Sequence, residues 1–181
     1  MSRIKKVSIY DMDGTIVDSS HRYRTKFVDN TEKIDLQFWR DNQHKALEDS
    51  LLPLYNQYRL DLSDENCYVI IATARVINAL DRLFIDDTLG APDYLISRKP
   101  DDTQSGKTLK IGGLAKFFNL VNFNTADFTF YEDNMEYLKA VCDRFKIKGT
   151  NLNTLYESTC ATSSLLLHLL ERLKTGRTIV T

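Results

Sequence analysis

The sequence lacks the features that would assign it to a disulfide-stabilised, zinc-binding or membrane-spanning class of protein. Three of its 181 residues are cysteine, Cys67, Cys142 and Cys160, and no two of them have C-x-x-C spacing. This odd number argues against a disulfide framework or a zinc site. No apolar run approaches membrane-spanning length, and the first residues lack the apolar core of a signal peptide. We therefore expect a soluble, cytoplasmic protein.

The chain also lacks an excess of charge of either sign. It has 24 Lys and Arg residues against 25 Asp and Glu residues, for a formal net charge of −1. This balance provides no general attraction to nucleic acid or to a membrane. The nearest candidate for a local basic groove consists of Arg22, Arg24 and Lys26. The length fits one domain, residues 1–181, and the 43% hydrophobic content is enough for a real core.

The most informative stretch is a short β-rich run, residues 7–10, that ends in Asp11 and Asp13. Gly14 follows and gives the backbone freedom to turn away. Residues at i and i+2 of an extended chain face the same side, and two carboxylates held together repel each other unless a cation or proton intervenes. The pair indicates a Mg²⁺ site with a nucleophile or an acid–base pair, with a simple strand-ending turn as the alternative.

Two later strands also end in groups that are capable of chemistry. These are Thr73-Ala74-Arg75 after strand 67–72 and Glu132-Asp133-Asn134 after strand 128–131. Because strands alternate with helical patterns, we expect a parallel sheet with helices on both faces. The carboxyl ends of parallel strands lie at one edge, so the three polar groups should converge there.

The remaining pattern predicts the other elements and one insertion. Further expected elements are a helix at 76–86, a strand at 94–97, helices at 107–120 and 135–145, a last strand centred on Ile147 and a closing helix at 155–174. Residues 18–64 form a small insertion with a helical pattern. Its Trp39 and tyrosines either pack against the sheet or form a cap whose rings can stack on a base.

These motifs together resemble those of the haloacid dehalogenase-like phosphohydrolases, over roughly residues 5–145. The first signature matches Asp11-Met12-Asp13-Gly14-Thr15, the second matches Ile70-Ile71-Ala72-Thr73, and the fourth matches Tyr131-Glu132-Asp133-Asn134. The third requires a lysine ahead of the fourth, and both Lys107 and Lys110 qualify, with Lys110 preferred. The resemblance implies a Rossmann-like, three-layer α/β fold with a minimal helical cap.

The resemblance also implies a role for each motif residue. Asp11 would be the nucleophile that forms an aspartyl-phosphate, and Asp13 would be the general acid and base. Lys110 would neutralise charge on the transferring group. The metal ligands for Mg²⁺ would be Asp11, Asp13 through its backbone carbonyl, Asp133, and Glu132 directly or through water. The phosphate-binding residues would be Thr73, Ala74, Arg75 and Lys107.

The Ala-Thr-Ala-Arg and Tyr-Glu-Asp forms of the motifs resemble one branch in particular, the polynucleotide kinase-phosphatases and the "Swiss army knife" RNA-repair phosphatases, which include phage proteins. In that branch the equivalent of Arg75 assists phosphate binding, and Arg98 is a second candidate here. No phosphate-binding loop of a kinase is present.

The implied function is that of a Mg²⁺-dependent phosphomonoesterase acting on a nucleic-acid 3′-phosphate end or on a nucleoside monophosphate. Residues 21–24 either contact a nucleotide or are solvated. The alternatives are a phosphatase of another small metabolite and a catalytically silent binding module.

Overall fold

A computed structural model of the protein describes residues 4–151. The strands are β1 (Lys6–Tyr10), β2 (Val17–Asp18), β3 (Thr25–Val28), β4 (Thr31–Ile34), β5 (Ser50–Leu51), β6 (Cys67–Val76), β7 (Tyr94–Arg98), β8 (Asp127–Glu132) and β9 (Lys148–Asn151). The α-helices are α1 (Leu36–Asp41), α2 (Tyr55–Leu62), α3 (Ala79–Phe84), α4 (Gly106–Leu114) and α5 (Met135–Phe145). Short 3₁₀ turns span Ser20–Arg22, Gln43–Glu48, Phe117–Asn119 and Val121–Phe123. The closing helix predicted at 155–174 lies outside the described residues.

A five-stranded sheet in the order β7-β6-β1-β8-β9 forms the centre, and all its neighbouring strands are parallel. The register places Tyr10 of β1 opposite Ile71 of β6 and Tyr131 of β8. The three strands that carry the motifs are therefore adjacent, and their carboxyl ends lie at the same edge. This confirms the predicted α/β class and the convergence of the three polar groups.

Residues on the central strands alternate between two apolar clusters, one on each face of the sheet. Val7, Ile9 and Ile70 lie in one cluster with α4 and α5 residues, and Tyr10 and Ile71 lie in the other with residues of α2 and α3. The alternation follows from the two-residue period of a strand. Burial on both faces explains why β6 is apolar almost throughout.

The insertion at 18–64 is only partly helical, which corrects the expectation of a helical cap. It contains α1 and α2, but also a two-stranded antiparallel hairpin formed by β3 and β4. Asp29 and Asn30 at the tip have φ of 52° and 57°, a left-handed pair that tight hairpins require and that Asp and Asn tolerate. The hairpin gave no apolar alternation in the sequence because both its faces are largely exposed to solvent.

Several element boundaries also differ from those expected. α3 begins at Ala79 rather than at 76, because β6 extends to Val76 and Asn78 caps the helix. α4 ends at Leu114, and β9 begins one residue after Ile147. Over residues 4–151, no helix is both long and apolar enough to cross a membrane.

Candidate active site

The chain leaves β1 through a tight turn in which the Met12 carbonyl accepts hydrogen bonds from the backbone N–H groups of residues 15–17. Gly14 lies in this turn with a φ of 72°. A Cβ atom at Gly14 would lie 2.5 Å from Oδ2 of Asp133. Glycine is therefore needed twice here, for the left-handed backbone and for the close approach of the turn to the end of β8.

Lys110 bridges two carboxylates at this edge of the sheet. Its Nζ lies 2.7 Å from Oδ1 of Asp11 and 2.5 Å from Oε2 of Glu132, and its side chain is 1% exposed. Burial raises the pKa of Asp11 to about 6 even though Lys110 opposes the change. Burial and the Asp11 charge raise the pKa of Glu132 to about 8. Burial alone would lower the pKa of Lys110, but the two carboxylates raise it, so the lysine is charged.

Of the two candidate lysines, the structure brings Lys110 and not Lys107 into contact with Asp11. The Nζ of Lys107 lies 2.5 Å from Oε1 of Glu136, and both side chains are exposed. The two lysines lie three residues apart in α4, and only Lys110 reaches the interior above the strand ends. A phosphate-binding role for Lys107 stays a prediction.

Carboxylate oxygens of Asp11, Glu132 and Asp133 lie within 4.8 Å of one another. Lys110 supplies one positive charge to this group, and a divalent cation would offset the negative charge that remains. Oxygen donors of this kind are the ligands that Mg²⁺ prefers. The two oxygens of Glu132 already accept hydrogen bonds from Lys110 and from the Asn134 backbone N–H, so Asp11 and Asp133 are the freer donors. The donor set fits the predicted cation.

Asp13 has a cation of its own, the guanidinium group of Arg75. Nε of Arg75 donates to Oδ2 of Asp13 over 3.1 Å, Nη2 donates to Oδ1, and the Ser19 hydroxyl donates to Oδ1 over 2.5 Å. Burial alone would raise the pKa of Asp13, but Arg75 and Ser19 together lower it below its ordinary value. The predicted repulsion between Asp11 and Asp13 is thus offset by separate partners.

Arg75 is also part of a larger buried cluster, which we call the arginine–aspartate network: Asp13, Arg22, Asp49, Arg75 and Asp81. Nη1 of Arg75 lies 3.1 Å from Asp49 and 2.8 Å from Asp81. Nη1 of Arg22 lies 2.8 Å and 3.0 Å from the same two carboxylates. Both arginine side chains are 0% exposed. Asp49 comes from the insertion and Asp81 from α3, so the network joins both elements to Asp13.

The three residues that are the nearest candidate for a basic groove form ion pairs within the protein. Arg22 is buried in the network, while Arg24 and Lys26 lie 3.1 Å and 3.2 Å from Asp35. Nε2 of His21 lies 3.3 Å from the Lys45 carbonyl. Arg22, Arg24 and Lys26 each have a carboxylate partner, so they do not provide an open, uncompensated surface for a polymer.

The other predicted phosphate-binding residues surround the end of β6. Thr73 is fully buried, and its Oγ1 accepts a hydrogen bond from the Arg75 backbone N–H over 3.1 Å. The Ala74 carbonyl accepts from Nε of Arg98 over 2.9 Å, and Nη1 of Arg98 donates to the Gln104 carbonyl over 2.6 Å. Arg98 thus braces the loop after β7. The phosphate contacts proposed for Thr73, Ala74 and Arg75 stay predictions.

Sequence reasoning missed Asp49 and Asp81, because neither lies next to a motif. Asp81 has the signature of a local helix cap, and it does accept from the Asn78 backbone N–H. Asp49 lies in a polar stretch where an acidic residue is unexceptional. The available signal was Arg75 itself, since an arginine in a buried strand end must have carboxylate partners.

We expect Asp49→Ala to lower the free energy of unfolding by about 3–5 kcal/mol, because it leaves two buried arginines short of a counterion. Glu136→Ala breaks the exposed pair with Lys107 and should cost at most about 1 kcal/mol. Urea unfolding of both variants, with the wild type, measures the difference. Equal losses of unfolding free energy in the two variants would contradict the prediction, because the buried network would then stabilise the fold no more than an exposed ion pair does.

The sequence profile described as bacteriophage T5 5′-deoxynucleotidase matches residues 1–93, just over half of the 181 residues. A 5′-deoxynucleotidase of Escherichia phage T5 is 35% identical over 85 residues, which is 45% of this chain and 34% of that protein. The chain thus matches about a third of the length of this relative. The region that the profile matches, residues 1–93, contains Asp11, Asp13, Thr73 and Arg75, and it ends before Lys110.

The fold is also similar to that of solved structures over about four fifths of the chain. A chain from the Pnkp1/Rnl/Hen1 RNA repair complex superposes with a TM-score of 0.57 at 16% identity, covering 82% of this chain and 42% of that chain. A haloacid dehalogenase-like family hydrolase from Streptococcus pneumoniae gives a TM-score of 0.57 at 13% identity, over 81% of this chain and 84% of that one. These similarities confirm the predicted haloacid dehalogenase-like fold.

Proposed function

Because the chain belongs to the bacteriophage T5 5′-deoxynucleotidase family, we propose that it is a Mg²⁺-dependent phosphomonoesterase for deoxynucleoside 5′-monophosphates. The observation that carries the proposal is the buried contact of Lys110 with Asp11, beside the carboxylates of Glu132 and Asp133. That group supplies a nucleophile, a fixed positive charge and cation ligands at one edge of the sheet. That residues 1–181 act as a single phosphatase domain stays a prediction.

The reaction proceeds in two displacements at phosphorus. An oxygen of Asp11 attacks the phosphorus atom, the bond to the ester oxygen breaks, and an aspartyl-phosphate forms. Water then attacks the same phosphorus atom, which releases inorganic phosphate and restores the Asp11 carboxylate. Lys110 stays beside the attacking oxygen in both steps and offsets charge on the transferring group.

Asp13 moves the protons in these steps. It gives a proton to the leaving ester oxygen and later accepts one from the attacking water. Its contacts with Arg75 and Ser19 favour the ionised form, which is the form that accepts a proton from water in the second displacement. The proton taken up there is the one that Asp13 gives to the leaving oxygen in the next turnover, so the protons balance over the cycle. Arg75 also fixes the direction in which the carboxylate points.

Mg²⁺ would be held by Asp11, Asp133 and the backbone carbonyl of Asp13, with Glu132 acting through water. When bound, the cation would reduce the repulsion between the anionic nucleophile and the phosphate. The glycine at position 14 supports this assignment, because it lets the turn that carries Asp13 approach Asp133 closely.

Two observations favour a mononucleotide over the end of a nucleic acid. The family match is to a nucleotidase. The cationic side chains of the candidate basic groove are already paired with carboxylates of the protein. Nucleic-acid binding depends on free cations that neutralise successive phosphates. A 3′-phosphate end and other small phosphate esters therefore serve as comparison substrates.

The test is phosphate release from a panel, with Mg²⁺ and with chelator. The panel contains deoxynucleoside 5′- and 3′-monophosphates, oligonucleotides phosphorylated at the 3′ or the 5′ end, and sugar phosphates. We expect the highest kcat/KM with the deoxynucleoside 5′-monophosphates, and no release with chelator or with Asp11→Asn, because an amide cannot act as the nucleophile. Faster release from the oligonucleotide end would contradict the proposed substrate. Activity that Asp11→Asn retains would contradict the nucleophile.

Side-by-side assays of Lys110→Ala and Lys107→Ala distinguish the two lysines. We expect Lys110→Ala to lose at least about 10²-fold in kcat, the scale of losing one electrostatic stabiliser of the transition state. Lys107→Ala should stay within a fewfold of the wild type, since its partner is the exposed Glu136. Circular dichroism and urea unfolding of both variants check that the difference is not loss of the fold. A larger loss for Lys107→Ala would reverse the assignment.

A further inference from the structure

We propose that Tyr23 and Trp39 form a stacking site for the nucleobase of the substrate, next to the phosphate site around Asp11 and Asp13. The proposal rests on the proposed function, because it assumes a nucleotide substrate. It assigns the insertion a direct role in substrate recognition.

The guanidinium group of Arg75 lies between the Trp39 ring and the carboxylate of Asp13. The centre of its ring lies 5.5 Å from the guanidinium carbon of Arg75, and the same guanidinium group holds the carboxylate of Asp13. The guanidinium carbon of Arg22 lies 4.9 Å from the ring centre. In a nucleoside 5′-monophosphate a single sugar separates the phosphate from the base. A phosphate bound at Asp11 would therefore place its base within reach of this ring.

The hairpin brings the two aromatic residues together. Tyr23 lies two residues before β3, and Trp39 lies in α1 shortly after β4, with the ring centres 6.2 Å apart. Asp35 closes the hairpin: its backbone N–H donates to the Arg24 carbonyl over 2.8 Å, and its carboxylate accepts from the first N–H groups of α1. Arg24 and Lys26 hold the same carboxylate. These hydrogen bonds and ion pairs of Asp35 fix the position of the hairpin relative to α1, and so the positions of the two rings.

Packing against the sheet does not explain these two rings. Neither of the two apolar clusters that cover the sheet includes Tyr23 or Trp39. Tyr23 is 39% exposed, whereas Tyr10 and Tyr58 of the core are 0% exposed. Trp39 is half-buried, and its ring lies close to the two network arginines and to Tyr23. The Trp39 indole lies against two guanidinium groups and is partly exposed, so a nucleobase can stack on it.

The ligand class follows from the chemistry of the pair. Stacking on an aromatic ring recognises the π-face that every base has, and it strengthens binding by about 5- to 150-fold per base. The arginines keep the indole in place by cation–π contact. We therefore expect purine and pyrimidine deoxynucleotides to use the site alike, and a base-free sugar phosphate not to use it.

Trp39 is the single tryptophan of the chain, so its fluorescence reports directly on this site. The experiment titrates Asp11→Asn, which binds but does not turn over, with deoxyadenosine 5′-monophosphate, thymidine 5′-monophosphate and 2-deoxyribose 5-phosphate. We expect saturable quenching by both nucleotides and none by the sugar phosphate. Adding Tyr23→Ala to this protein should weaken nucleotide binding by at least about fivefold. Adding Phe27→Ala is the control, since Phe27 is an aromatic of the same hairpin with 76% exposure.

A kinetic measurement provides the second readout. We expect Trp39→Ala, in the active enzyme, to lose at least about fivefold more kcat/KM with the nucleotides than with 2-deoxyribose 5-phosphate, mainly through KM. Trp39→Phe should recover part of the loss because it keeps a ring. Equal losses on all three substrates would overturn the proposal, since they would show that Trp39 acts only through Arg75.

The two proposals fail in different ways. Nucleotide turnover without fluorescence quenching would overturn the stacking site and leave the nucleotidase activity intact. Saturable quenching without turnover would support the stacking site and contradict the proposed activity.

Discussion

The interaction on which the site depends is the buried contact of Lys110 with Asp11 and Glu132. A lysine is rarely buried this deeply unless carboxylates surround it, and here two of them hold it at the ends of β1 and β8. The contact therefore fixes where α4 lies above the sheet edge. It also leaves a third carboxylate, Asp133, beside the pair, so the edge offers oxygen ligands for the cation that we propose and is not a neutral packing surface.

A second set of charges ties the insertion to the same edge. Asp49 and Asp81 contact Arg75, and Arg75 contacts Asp13, so the carboxylate that we propose as the acid and base depends on residues that are remote from it in sequence. Trp39 lies over the arginines of this network. The network thus serves two purposes: it orients Asp13, and it supports the ring that we assign to the base. An insertion without a full second domain can in this way close one side of the site.

The sequence was sufficient to predict the sheet and the three converging strand ends, and it narrowed the motif lysine to Lys107 or Lys110, with Lys110 preferred. These depend on apolar periodicity and on motifs at strand ends, which are local signals. The hairpin at β3 and β4 was not predictable, because solvated strands lack apolar alternation and its turn uses Asp29 and Asn30 instead of glycine. The burial of Arg22 was also unpredictable, because a polar stretch does not reveal which cation finds two distant carboxylates.

The central claim is that Asp11 accepts the phosphoryl group, and direct trapping of that species tests it most sharply. The measurement is mass spectrometry of acid-quenched enzyme, mixed for a single turnover with a deoxynucleoside 5′-monophosphate and Mg²⁺. We predict one added phosphoryl group on the tryptic peptide 7–22, localised to Asp11 and missing in Asp11→Asn. Phosphate release with no labelled peptide at any quench time, or a label that persists in Asp11→Asn, would contradict the account.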